Sequence, residues 1–150
     1  NLYQRFLARD PSRRLGTTLA VLVWRADGVV TGHIGDSRIY RVRAGGVQLL
    51  TRDHAFEQER AERERPKKYL TRAVGTTPDP LVDVQMREGR PDDRYLLCTD
   101  GLTDVVGEAD ILAVSAAQPT PAGVTEALVA LALQRGTRDN VTVLALHAGR

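Results

Sequence analysis

The sequence predicts an α+β fold built on antiparallel sheets, and three observations carry that prediction. Short β-branched and apolar runs come first along the chain, helical spacing is confined to two later segments, and successive runs are joined by turns too short for parallel crossovers. At 150 residues, 42% hydrophobic and 27% charged, the chain has the size of a single domain, residues 1–150, and enough apolar content for a core of its own.

Leu2 to Ala8 reads as the end of a helix, stopped at Asp10-Pro11 because the residue before a proline is pushed out of the α region. Thr17 to Trp24 is β-branched and apolar and leads into the turn residues Ala26-Asp27-Gly28. Val29 to Ile34 resumes a strand, Arg38 to Arg43 alternates polar and apolar, and Gly45-Gly46 reverses the chain into Val47 to Leu50. These four runs read as one antiparallel meander. Phe56 to Lys68 is dense in Glu and Arg with almost no apolar stripe, which reads as a solvated helix ended by Pro66. Leu81 to Met86 alternates as a half-buried strand does, and Arg94 to Thr99 is an apolar run suited to a central strand. Glu108 to Ala117 and Pro121 to Gln134 carry helical spacing, the second opened by the cap pair Thr120-Pro121 and followed by Gly136. Val141 to Leu146 closes the chain as a strand.

Composition excludes several classes. The net charge is +2 and the basic residues are interleaved with acids, so a pI near 9.0 leaves no stripe for nucleic acid. The single cysteine, Cys98, excludes an internal disulfide and suits a cytoplasmic domain. No apolar run approaches the ~18 residues of a membrane span, and Asn1 to Arg5 does not resemble a signal peptide. The chain starts without methionine, which makes it an expected piece of something longer.

Three acidic loops carry the chemistry: Gly35-Asp36-Ser37, Asp100-Gly101 and Arg138-Asp139-Asn140, each where a strand-like run ends or begins. Taken singly, Asp-Gly or Asp-Asn is an ordinary turn pair. Taken together, the three can bring Asp36, Asp100 and Asp139 to one sheet edge as oxygen ligands of the kind Mg²⁺ and Mn²⁺ prefer. Cys98 lies inside an apolar strand with no phosphate loop after it, which reads as an inert core thiol. His33 in a strand and His54 in a turn lack the spacing of metal ligands and read as structural, as does Asp53; His147 carries no signal.

Six stretches, in order, resemble motifs of the PP2C-like metal-dependent protein serine/threonine phosphatases, bacterial type. They are Gly16-Thr17-Thr18, the run Gly32 to Tyr40 around Gly35-Asp36-Ser37-Arg38, Leu50-Thr51-Arg52-Asp53-His54, Leu70-Thr71-Arg72-Ala73-Val74-Gly75, Tyr95 to Asp104 around Thr99-Asp100-Gly101, and Arg138 to Val143. The resemblance implies a four-layer α/β/β/α sandwich of two antiparallel sheets flanked by helices. It implies two to three Mn²⁺ or Mg²⁺ ions, Asp100 and Asp139 on the second metal, and Asp36 with Asp100 on a weaker third. Gly101, Asn140 and Arg38 then support the ligands. The implied reaction is hydrolysis of phosphoserine and phosphothreonine in proteins by a metal-activated water, with phosphoprotein substrates and a Ser/Thr kinase as the partners.

The pattern also departs from the family. No Asp-Gly-x-Gly-Gly element, which carries the family's first bridging aspartate, occurs before Gly16, and the segment from His54 to Leu70 is shorter than the usual flap. The expectation is the C-terminal portion of a phosphatase domain, incomplete at the N-terminus and weakly active alone. The alternative is a non-catalytic module of the same fold that binds phosphoproteins. A narrower regulator of bacterial signalling switches is a third reading.

Overall fold

The structure, a computed structural model, describes residues 3–4, 15–58 and 67–148. In chain order its elements are β1 (Leu19–Arg25), β2 (Gly28–Ile34), β3 (Arg38–Arg43), β4 (Gly46–Leu49), β5 (Ala55–Gln58), β6 (Lys67–Leu70), β7 (Asp83–Arg87) and β8 (Arg94–Cys98). These are followed by the single turn α1 (Asp100–Thr103), α2 (Glu108–Ala117), α3 (Pro121–Gln134) and β9 (Val143–His147). Pairing is antiparallel throughout, in sheets ordered β1-β2-β7, β4-β3-β8-β9 and β5-β6.

The single meander expected of the first four runs does not form. The β1–β2 hairpin belongs to one sheet and the β3–β4 hairpin to the other, and residues 35–37 carry the chain across. The reason is that β3 and β8 are buried on both faces. Ile39 and Tyr95 face the three-stranded sheet, packing with Val29 and Leu50 and with Ala20, Leu22 and Leu97. Their neighbours Tyr40, Leu96 and Cys98 face the other way, into a second core closed by Leu102, Val106, Ile111, Val124, Leu128 and Ala132. A period-2 strand with apolar residues at successive positions requires a layer on each side, and the hairpin partner supplies neither.

Helices α2 and α3 form the layer outside the four-stranded sheet. Thr120 caps α3, its Oγ1 accepting the Gly123 amide at 3.1 Å with Pro121 in the first turn. Arg135, just beyond α3, grips Asp110 of α2 through bonds of 2.6 and 2.7 Å. On the outer face of the three-stranded sheet, Leu19, Val21 and Val23 align with Val84 and Met86, and no helix covers that face among the described residues.

The charged helix expected over Phe56 to Lys68 is absent at both its ends. Ala55–Gln58 and Lys67–Leu70 pair as a ladder, with the Phe56 and Tyr69 rings stacked at 5.4 Å; residues 59–66 lie outside those described. Charge alternation marks a solvated face but not its backbone, and here cross-strand stacking decides. The expected helix end at Leu2 to Ala8 also lies outside the described residues, apart from Tyr3 and Gln4, which are helical.

The end of β8 away from the acidic loops is held by a buried carboxylate. Asp93, 1% exposed, accepts from Arg43 Nε at 2.5 Å and Nη2 at 2.7 Å, from the Arg90 amide at 2.9 Å and from Tyr95 Oη at 2.8 Å. Burial alone would push this carboxyl up; the bonds from Arg43, Arg90 and Tyr95 outweigh it and hold it at about 2. A folded-state value below the unfolded one adds stability that is complete above about pH 4 and fades as pH falls toward 2. Asp93→Asn is expected to cost about 2 kcal/mol at neutral pH, and urea midpoints measured from pH 5 to pH 2 should converge with those of the parent at the acid end.

Candidate functional site

The loop carrying Asp36 is where the chain changes sheets, and its neighbours fix its shape. Gly35 has φ of +107°, and a side chain there would run into Thr18. Thr18 Oγ1 and Ser37 Oγ share a hydrogen bond of 2.7 Å. From the other side His54 clamps Gly35 twice: its amide donates to the Gly35 carbonyl at 2.8 Å, and its Nδ1 accepts the Gly35 amide at 3.2 Å. A neutral ring accepting at Nδ1 carries its proton on Nε2, and Nε2 lies 3.0 Å from Asp83 Oδ2, whose other oxygen accepts from Arg72 at 2.8 Å. The relay Arg72–Asp83–His54–Gly35 thus sets the backbone from which the buried Asp36 projects.

Asp100 and Asp139 lie at the same end on two stitched loops. Asp100 opens α1 directly after β8. Gly101 rests on the Asn140 carbonyl so closely that a side chain would collide with it. Thr99 Oγ1 donates to the Asn140 carbonyl at 3.2 Å and accepts the Thr142 amide at 3.1 Å, and Thr137 Oγ1 donates to the Gly101 carbonyl at 2.7 Å. Asp139, exposed, accepts the Asn140 amide at 2.7 Å.

These carboxylates feel one another. Burial pushes the half-buried Asp100 carboxyl up, Asp36 pushes it further, Lys68 opposes, and Asp104 and Asp139 add to the rise. The Lys68 ammonium stands 3.1 Å from Asp36 Oδ2 and 3.5 Å from Asp53 Oδ2. Burial would lower its pKa, and Asp36, Asp53 and Asp100 outweigh that and raise it. Asp53 is also held by Arg38 Nε and Nη2, both at 2.9 Å. An acid raised by its acidic neighbours, as Asp100 is, is relieved by a bound cation, and the all-oxygen character of Asp36, Asp100 and Asp139 matches a hard divalent ion.

A second group was hidden from the sequence. His33, His54 and Asp83 place ligating atoms within 4.8 Å of one another, although 50 residues separate the first from the last. The register that pairs His33 with Asp83 across β2 and β7 makes this group, and no spacing in the chain signals it. Both nitrogens of His54 are committed to Gly35 and Asp83, so its role is to hold the loop. His33, 3% exposed, has neither ring nitrogen hydrogen-bonded among the described residues, and burial and the neighbouring His54 lower its pKa. Lys68, Asp83 and Arg72 are further site-end residues that reading the chain did not single out. Cys98 is buried and its thiol is pushed by burial up to about 12, as suits an inert core residue.

The family model for protein phosphatase 2C matches residues 4–132. The serine/threonine protein phosphatase PstP of Mycobacterium tuberculosis is 37% identical over 140 residues, 87% of this chain and 27% of PstP. Among solved structures, PppA, a regulatory component of the T6SS in Pseudomonas aeruginosa, is similar with a TM-score of 0.85 at 29% identity, covering 98% of this chain and 66% of that one. The catalytic domain of PstP in complex with two manganese ions gives a TM-score of 0.73 at 30% identity, covering 96% of this chain and 64% of that one. The chain therefore spans about a quarter of PstP and about two thirds of these solved structures. With the family model matching most of its length and the antiparallel sheets of the expected kind, the chain belongs to the protein phosphatase 2C family.

Proposed function

We propose that residues 1–150 form the C-terminal portion of one phosphatase domain that hydrolyses phosphoserine and phosphothreonine in proteins with Mn²⁺ or Mg²⁺. The observation that carries this reading is the approach of the Asp100 and Asp139 loops to each other, fixed by Gly101 against the Asn140 carbonyl, with Asp36 close enough to raise Asp100. Asp100 and Asp139 would hold one cation, and Asp36 with Asp100 a weaker one; Gly101 and Asn140 support them through backbone. Bound cations supply charge neutralisation at the phosphoryl oxygens and a lowered pKa for water.

The chain's own residues do the remaining work. Asp100 is presented at the start of α1 by the apolar strand β8, which cannot shift without disturbing both cores. The His54 clamp on Gly35 and the Thr18–Ser37 bond fix the chain on either side of Asp36. The buried Cys98 is a poor nucleophile, in keeping with direct attack by water. The substrates of this reading are phosphoproteins and its partner a Ser/Thr kinase. A cytoplasmic location accords with the single buried cysteine, and no helix among the described residues is long and apolar enough to cross a membrane.

No Asp-Gly-x-Gly-Gly element occurs in the 150 residues, so the expected turnover of the chain by itself is low. Mn²⁺ binding followed by electron paramagnetic resonance is the direct test. Asp100→Asn should weaken binding by about tenfold or more, and an isotherm identical to that of the parent would overturn the metal assignment. Gly101→Ala, which drives the Asn140 carbonyl away, should weaken Mn²⁺ binding in the same direction as Asp139→Asn while leaving the circular dichroism spectrum in place. Phosphopeptide binding that survives without any hydrolysis in the full-length gene product would favour the non-catalytic module instead.

A further inference from the structure

Lys68 brings a positive charge to the acidic end. It lies on β6, and its ammonium reaches across to Asp36 Oδ2 at 3.1 Å. Asp53, the other carboxylate it touches, is already neutralised by the two 2.9 Å bonds from Arg38, so the charge that Lys68 chiefly answers is that of Asp36. Among the described residues no other cation pairs with Asp36. The pair is largely out of water, the side chains being 23% and 10% exposed, so solvent screens it less than a surface pair.

An ammonium and a hard divalent cation make the same demand on a carboxylate. Both bind through its oxygens, the metal at about 2.0–2.6 Å, so a divalent ion on either oxygen stands close enough to the ammonium on Oδ2 for the two positive charges to repel each other and weaken each other's hold on the carboxylate. The rest of the β5–β6 hairpin is tied differently. Its base is held by the Thr71 amide donating to the His54 carbonyl at 2.8 Å, and its two strands by their own ladder and the Phe56–Tyr69 stack. Among the described ion pairs, those of Lys68 are what fasten this hairpin to the acidic loops. Directly opposite Lys68 in the ladder stands the exposed Glu57, on the same face and within reach of a released ammonium.

We propose that Lys68 is an internal competitor for the divalent cation at Asp36: ammonium and metal take that carboxylate one at a time, so cation binding there releases the β5–β6 hairpin and the hairpin's contact weakens cation binding. The inference rests on the assignment of Asp36 as a metal carboxylate. Coupling of this kind is reciprocal, and its usual size is five-fold or more in affinity.

The test combines Mn²⁺ titration followed by electron paramagnetic resonance with hydrogen exchange of the β5–β6 amides, on the parent chain and on Lys68→Met, Lys68→Arg and Asp36→Asn. Lys68→Met should bind Mn²⁺ at its weakest site about five- to tenfold more tightly, and its hairpin amides should exchange fast with or without the ion. In the parent, Mn²⁺ should accelerate that exchange, and Lys68→Arg should behave like the parent. Asp36→Asn should lose the weak site and the Mn²⁺ response together. Equal or weaker Mn²⁺ binding by Lys68→Met, or hairpin exchange indifferent to Mn²⁺ in the parent, would overturn the competitor role while Asp100→Asn still lowered affinity. Mn²⁺ isotherms unchanged by both Asp36→Asn and Asp100→Asn would instead overturn the metal assignment, and the competitor role with it.

Discussion

The passage of the chain from one sheet to the other at residues 35–37 is the constraint on which the rest of the molecule depends. Three residues must leave β2, cross the thickness of the sandwich and enter β3 with Ile39 facing one core and Tyr40 the other. That crossing demands a positive φ at Gly35, room against Thr18, and partners for the Gly35 amide and carbonyl once they leave a ladder. His54 supplies both partners, and unpaired backbone groups at such a depth would each cost on the order of 1–3 kcal/mol. The crossing also determines chemistry. The middle residue of the crossing is Asp36, buried beside Lys68 and close enough to Asp100 to raise its carboxyl.

The two ends of β8 show how the same physics gives opposite results. At its start Asp93 is buried and fully bonded, and its carboxyl is held at about 2, below the ordinary carboxylate range. At its finish Asp100 is half-buried, paired with no cation among the described residues, and raised by burial and by Asp36. A buried acid with complete donors is a structural staple, whereas one left among like charges stores repulsion that a cation relieves. The strand between them is clamped by cores on both faces, so the separation between staple and acidic end is fixed. The structural staple and the candidate site are thereby placed at opposite ends of one element.

The hairpin β5–β6 joins these two concerns. Its backbone is secured to the His54 turn, which also secures the Asp36 loop, while its Lys68 reaches the carboxylates themselves. A loop attached in this way shares a fulcrum with the site but can change its charge contact without unfolding, which is the arrangement expected of segments that tune a site rather than build it.

The sequence by itself determined most of the strands, the two long helices and the family. Strand alternation located β3 and β7, β-branched and apolar runs located β2 and β8, the Thr120-Pro121 cap and the following Gly136 located α3, and the ordered motifs around Asp36, Asp100 and Asp139 carried the resemblance to the phosphatase 2C family. The strand and helix signals survive without a structure because they depend on neighbours along the chain, through side-chain period, capping and turn chemistry; the family is a resemblance carried by the order of the motifs. Tertiary structure alone decided that β2 and β3 belong to different sheets, that the charged segment at Phe56 begins as a strand, and that His33 meets Asp83. It alone placed His54 on Gly35 and Lys68 on Asp36. Each of these follows from register and packing between segments far apart in sequence, and a charged or polar side chain carries no mark of which distant partner will neutralise it.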